Sequence, residues 1–178
     1  METVENNLYT EGYYERGENS NYHGYKDDIL YERLADFIVE KFDPDTFLDV
    51  GCAKGFLVKH LRDRGVDAYG VDISKYACDV SEVKRFIDNE DFINYRPRKN
   101  FDIVFSQDML EHISEDRIDD YISRMFSCGY HQFHIITTSE HNCGGDNTHK
   151  TIKELNWWKN KFNKDDFIIN KLADIINV

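Results

Sequence analysis

The residues of this chain that could do chemistry fall just after apolar runs. In FLDVGCAKGFLVKHL, Phe47 to Leu61, Asp49 closes one such run and Gly51, Ala53 and Gly55 take alternate positions up to the next. Small residues there let the backbone approach a ligand, and the start of a helix offers N–H groups without intrahelical partners. Asp72 ends a second run, DAYGVDI, seventeen residues beyond Gly55. That is close to where a dinucleotide-type fold puts an acid, and a carboxylate accepts both hydroxyls of a ribose diol. His112, in LEHI, and His149, in GGDNTHKT, follow two later runs and are candidates for a general base. Each feature also has a plain structural reading: a packing corner, an acid opening a helix, a surface or capping histidine. Their shared placement after successive apolar runs points to a ligand.

The elements that position these residues follow from periodicity. From Lys26 to Phe42 the apolar residues recur at three- and four-residue steps, and Asp43-Pro44 stops the predicted helix. Then come TFLDV as a strand, Phe56 to Arg64 as a helix, DAYGVDI as a strand, and a short helix capped by Ser74. VKRFID is a weaker strand candidate and FDIVFS a strong one, followed by a helix from Ser114 to about Cys128. HQFHIITT reads as a strand, TIKELNWWKNKF as a helix, and DFIINKL with ADIINV as a closing pair of short strands. Apolar strands alternating with helices indicate a doubly wound, mostly parallel α/β sheet of Rossmann-like type. Ligands of such sheets sit beyond the carboxyl ends of the strands. Residues 1–25, rich in Tyr, Asn and Gly, form a lead to a single domain spanning 26–178.

Composition narrows the function classes. With 178 residues there is room for one ordinary domain, and 40% hydrophobic residues support a core despite a mean hydropathy of −0.66. A net charge of −12 opposes binding to phosphate backbones and favours a small-molecule ligand. Arg96-Pro97-Arg98-Lys99 is too short to reverse this and reads as a solvated turn. Cys52, Cys78, Cys128 and Cys143 are widely spaced, which suits a reducing compartment, and without a signal-like or membrane-length apolar segment the expected location is the cytoplasm. His131, His134, His141, Cys143, Asp146 and His149 lie close in sequence but lack paired zinc-ligand spacing, so no metal is expected.

At Asp49-Val50-Gly51-Cys52-Ala53-Lys54-Gly55 the chain resembles the class I, seven-strand S-adenosylmethionine-dependent methyltransferases of small-molecule type. Ala53 stands where that family usually has its middle glycine. The resemblance runs from about Tyr13 to Phe162 and includes Asp72, IDNED at Asp88 and FDIVFSQDMLEHI in the family's order. It implies S-adenosyl-L-methionine as cofactor, leaving as S-adenosyl-L-homocysteine. The implied cofactor contacts are Tyr22, Asp49, Gly51, Cys52, Ala53, Gly55, Asp72, Ile73, Asp88, Asn89, Ser106 and Gln107. Asp72 would take the ribose, Asp88 would lie near the adenine amine, and Tyr13, Tyr22 or Tyr25 would close over the methionine end. Family members acting on sugars or small metabolites carry similar D-x-T-H and E-H segments beside the substrate, which singles out His149 and His112. Asp49, Asp72, Asp88 and Asp108 at one rim would supply acceptors and negative potential for a cofactor carrying a sulfonium, a diol and amines.

The expected activity is in-line methyl transfer to O or N of a small molecule, with a sugar or nucleotide-sugar favoured. Positioning alone supplies several kcal/mol in such reactions. Alternatives are a cofactor-binding module that partners another enzyme, or methylation of RNA or protein, which the acidic surface and the segment SQDM disfavour. A nicotinamide cofactor would bring longer glycine spacing and more chain. Few residues follow Phe162, so acceptor recognition falls to the lead, to the loop from Ser139 to Thr151, or to a second copy or partner subunit. Of Trp157 and Trp158, one should pack and the other face the pocket.

Overall fold

The structure, a computed structural model, describes residues 8–140 and 146–176; His141 and Cys143 lie outside them. Six strands form one parallel sheet: β1 Thr46–Val50, β2 Asp67–Asp72, β3 Ile87–Asn89, β4 Phe101–Gln107, β5 Gly129–Ile135 and β6 Phe167–Ile169. Their spatial order is β3-β2-β1-β4-β5-β6, so the chain winds outward from β1 first to one side and then to the other. The order reverses between β1 and β4, which opens a crevice at their carboxyl ends.

Side chains that alternate along β1 bury on opposite faces, so that Phe47, Leu48 and Val50 are all buried. Phe47 packs with Leu34, Ile38, Leu57 and Leu61 from α1 (Ile29–Phe42) and α2 (Phe56–Asp63), together with Phe105 and Phe133 of the sheet. Leu48 and Val50 turn the other way, toward Ile118, Ile122 and Met125 of α4 (Ile118–Cys128) and Trp158 of α5 (Leu155–Lys159). A short helix, α3 (Lys75–Val80), is capped by Ser74, whose hydroxyl accepts from the Ala77 N–H. No helix among the described residues is long and apolar enough to cross a membrane.

Several elements depart from the sequence expectation. The first helix starts at Ile29 rather than Lys26, because Asp28 is extended and caps it by accepting from the Leu30 N–H. VKRFID divides into a 3-10 turn, Lys84–Phe86, and the three-residue β3. The helix placed from Ser114 begins with a separate 3-10 turn, Glu115–Arg117. The helix expected over 151–162 contracts to Leu155–Lys159. The closing strand pair reduces to β6, since Leu172–Asp174 forms a 3-10 turn whose Leu172 carbonyl accepts from Ile175.

Candidate active site

After β1 the backbone enters the left-handed region three times, at Gly51 (φ 78°), Ala53 (φ 50°) and Gly55 (φ 73°). A Cβ on Gly51 would lie 2.6 Å from Met109 Cγ, and one on Gly55 would collide with Ile87, so both positions need glycine. Ala53 holds the same conformation with a side chain, and its N–H donates to Asp72 Oδ2 at 2.7 Å. Asp72 Oδ1 accepts from the Ser74 N–H at 2.7 Å. The acid read from sequence as a ribose ligand is thus also the brace between the glycine turn and the loop after β2. Burial pushes its carboxyl up to about 6 against these two N–H donors.

Above the turn lies a cavity of about 870 Å³, open to solvent. Gly51, Ala53, Asp72, Ile73, Gln107 and His112 line it, and Tyr13, Tyr22 and Tyr25 of the lead close one side. Their rings pack edge to face, with centroids 5.6 Å apart for Tyr13–Tyr22 and 4.9 Å for Tyr22–Tyr25. The lead is tied down by Lys54, whose ammonium donates to the Tyr25 carbonyl at 2.8 Å and pairs with Glu15. The Tyr13 hydroxyl reaches Asp146 Oδ2 at 2.8 Å.

Asp49 opens instead onto an adjoining recess of about 360 Å³, shared with Tyr22, Tyr25, Tyr31, Cys52 and Asp108. Its carboxylate has no hydrogen-bond partner among the described residues. Burial, with Asp72 nearby, pushes it up to about 8. Cys52 Sγ turns down against Gly70, where any Cβ would collide with it. Gly55 serves as the first cap of α2, outside the cavity lining.

Three further expected cofactor contacts, Asp88, Asn89 and Ser106, also lie off the cavity lining. Asp88 is exposed and does not line the cavity; Glu90, Asp91 and Phe92 do. The register pairs Asp72 with Asn89, so the chain reaches the crevice only after β3 ends, and Glu90 N–H donates to the Asp72 carbonyl at 3.0 Å. Asn89 donates from Nδ2 to the carbonyls of Asp72 and Ile73, bracing the loop from outside the cavity. Ser106 is fully buried and paired with His134 Nδ1 at 2.8 Å, inside the sheet. Trp158 packs as expected, but Trp157 lines neither cavity nor recess; the ammonium groups of Lys153 and Lys161 lie 5.4 and 4.6 Å from its ring centroid.

At the mouth beyond Gln107 several titratable groups converge. His112 and His149 meet with ring centroids 4.8 Å apart; His112 lines the cavity and His149 does not. Thr148 Oγ1 donates to Asp146, so its contact with His112 Nδ1 at 2.8 Å requires that ring nitrogen to be the donor. His112 is thereby fixed with its proton on Nδ1 and a lone pair on Nε2. Burial lowers it to about 4, which keeps the ring neutral at ordinary pH. Glu111 has no solvent exposure, accepts from the Thr137 N–H at 3.1 Å through Oε1, and leaves Oε2 without a partner. Sequence spacing pointed to no metal, yet Glu111, His112 and His149 bring ligating atoms within 4.8 Å of one another. Of the histidines weighed for a metal by spacing, His134 is instead buried in the sheet and His131 is exposed on β5.

Residues 22–161 match the family model described as a methyltransferase domain. The chain is 31% identical to a ubiquinone biosynthesis O-methyltransferase of Nitrosomonas europaea over 45% of its own length and 38% of that protein. In fold it resembles a SAM-dependent methyltransferase from Archaeoglobus fulgidus, with a TM-score of 0.63, 24% identity, and coverage of 76% of this chain and 66% of that one. It also resembles an S-adenosylmethionine-dependent methyltransferase from Clostridium acetobutylicum ATCC 824, with a TM-score of 0.54, 22% identity, and coverage of 61% and 51%. The chain therefore spans between about two fifths and two thirds of the length of these relatives.

Proposed function

Because this chain belongs to the methyltransferase domain family, we propose that its cavity binds S-adenosylmethionine and that the chain transfers the methyl group to a small hydroxyl- or amine-bearing acceptor. One observation carries the reading: a cavity of about 870 Å³ at the crevice between β1 and β4 joins the glycine turn, Asp72 and the tyrosine lead to the His112 mouth. In this reading Asp72 accepts from the ribose hydroxyls with the lone pairs left by Ala53 and Ser74. Glu90 or Asp91 takes the adenine end in place of Asp88. Asp49, buried and unpaired, faces the cofactor's cationic end across the recess floor.

Transfer from sulfonium is a displacement in which the O–C or N–C bond forms as the S–C bond breaks, leaving a neutral thioether. The chain's part is to align acceptor and methyl, and a hydroxyl acceptor gains from a base. His112 Nε2, with its lone pair fixed by the Thr148 contact, lies at the mouth where an acceptor would enter. Likeness to a protein named as an O-methyltransferase favours oxygen. The finer reading, a sugar or nucleotide-sugar, rests on the Asp146-Asn147-Thr148-His149 segment and on Lys150 at the cavity rim. Asp108 and Asp146 beside the mouth weigh against a free diphosphate.

Calorimetry with S-adenosylmethionine and S-adenosylhomocysteine tests the shared premise, and absence of binding at millimolar ligand removes it. A methyl-transfer screen across sugar nucleotides, phenols, amines and RNA then identifies the acceptor class. Cofactor binding without transfer to any class would favour a binding module that serves a partner.

A further inference from the structure

We propose that Glu111, His112 and His149 hold a divalent transition-metal ion at the mouth of the cavity, with a coordination position left open toward the acceptor. The three side chains come from two separate segments, the 3-10 turn Leu110–His112 after β4 and the stretch following residue 145. Their ligating atoms lie within 4.8 Å of one another. Short side-chain rotations bring such a set to the roughly 2.0–2.2 Å at which these ions take imidazole and carboxylate.

Two independent features of the site point to a cation. Glu111 has no exposed surface and its Oε2 has no hydrogen-bond partner, a costly arrangement for a carboxylate oxygen unless an ion completes it. Thr137 holds the other oxygen through its N–H at 3.1 Å, so the orientation of the carboxylate is fixed. His112 is prepared in the way metal-bound histidines usually are: Nδ1–H donates to Thr148 Oγ1, which donates onward to Asp146, leaving Nε2 free to ligate. Asp108, held by Thr137 Oγ1 at 3.1 Å, adds a second carboxylate beside the set. Two imidazoles with one carboxylate suit zinc, iron or manganese rather than the all-oxygen shells of magnesium or calcium.

His112 and Asp108 both line the cavity, so an ion there faces the space an acceptor would fill. With Nε2 of His112 taken up as a ligand, the ion replaces that nitrogen as the group that activates the acceptor: a hydroxyl bound to it ionises more readily, its proton leaves to solvent, and the oxygen takes the methyl carbon as the S–C bond breaks. This use of the ion rests on the methyltransferase reading, whereas the ion site itself does not. An acceptor with two adjacent oxygens would chelate it best.

The test is calorimetry of zinc chloride and of manganese chloride into the untagged, chelator-treated full chain, with metal content measured by elemental analysis. The expected result is one ion per chain, with affinity weakened about tenfold or more in Glu111→Gln and in His149→Ala. S-adenosylhomocysteine titrations on the same proteins report the cofactor site separately. Ion binding without homocysteine-product binding would overturn the methyltransferase reading and leave the ion site standing. If Glu111→Gln fails to fold, as circular dichroism would show, His149→Ala decides, since His149 is only half-buried. No binding by either ion, or unchanged affinity in the variants that fold, overturns the proposal.

Discussion

Asp49 offers the sharpest physical test of the site, because its carboxylate is buried and lacks a partner among the described residues. Its carboxyl is raised from 3.8 to about 8, chiefly by burial and then by Asp72. Between those values the folded chain keeps a proton that the unfolded chain has released, so stability falls as pH rises through that window. The slope is about 1.4 kcal/mol per pH unit, which gives a loss of roughly 2.7 kcal/mol between pH 5 and pH 7. Asp49→Asn keeps the shape and removes the titration. The variant should therefore gain on the parent by that amount over the same two units, and the gain should level off above about pH 8. For a chain of this size the gap in melting temperature should widen by roughly 5–10 °C between pH 5 and pH 7. Thermal unfolding followed by circular dichroism at both pH values measures it. A gap that does not change with pH would refute the claim that the acid is buried without compensation. The same variant should bind S-adenosylhomocysteine about tenfold more weakly, because the acid that destabilises the empty fold would be the one facing the ligand's ammonium.

Asp72→Ala should weaken S-adenosylhomocysteine by at least about tenfold, or about 1.4 kcal/mol, in calorimetry; an unchanged dissociation constant would count against the ribose role. Because Asp72 also accepts from Ala53 and Ser74, this variant should melt at lower temperature as well. Lys54→Met removes the ammonium that holds Glu15 and the Tyr25 carbonyl, so amide exchange over the lead, residues 9–25, should speed up while the central strands stay protected. Ala53→Gly should shift stability by less than about 1 kcal/mol in urea unfolding. Relief of the left-handed strain at φ 50° is offset by loss of a methyl packed on Tyr13, Tyr14 and Ala77, and by the freer unfolded chain of glycine.

The parts of the fold that sequence made legible are those whose pattern has one physical solution. TFLDV, DAYGVD and FDIVFSQ bury residues on both faces, as inner parallel strands between two helical layers do. The three-residue β3 and the five-residue α5 are too short for a period to show and exist because neighbours hold them. Along the cavity wall, Gly51 and Asp72 were legible because one directly follows β1 and the other ends β2. Glu90 and Asp91 were not, since the register of β3 against β2, which no local pattern reveals, decides which acid reaches the crevice. The Glu111–His112–His149 cluster escaped a search by spacing for a similar reason: its members join only when the stretch beyond residue 145 folds back so that Lys150 and Thr151 donate their N–H groups to the Glu111 carbonyl.

Asp72 and Asp108 line the cavity, Asp49 opens onto the adjoining recess and Glu111 is buried beside the mouth, and all four acids are raised above their ordinary range with burial as the leading cause. Asp72, held by the backbone N–H groups of Ala53 and Ser74, is the least raised of the three whose values fall at about 6, 8 and 8. A core that needed nothing beyond packing would hold amides or apolar side chains at these positions, since an unpaired buried acid weakens the fold. The arrangement makes sense if cations arrive from outside. On the proposed reading they are two and of different kinds: the organic cation of the cofactor by Asp49, and an inorganic ion between Glu111 and the histidines. The two readings separate experimentally. Saturating S-adenosylhomocysteine should flatten the pH dependence contributed by Asp49 and leave that of Glu111 in place, whereas zinc should do the reverse.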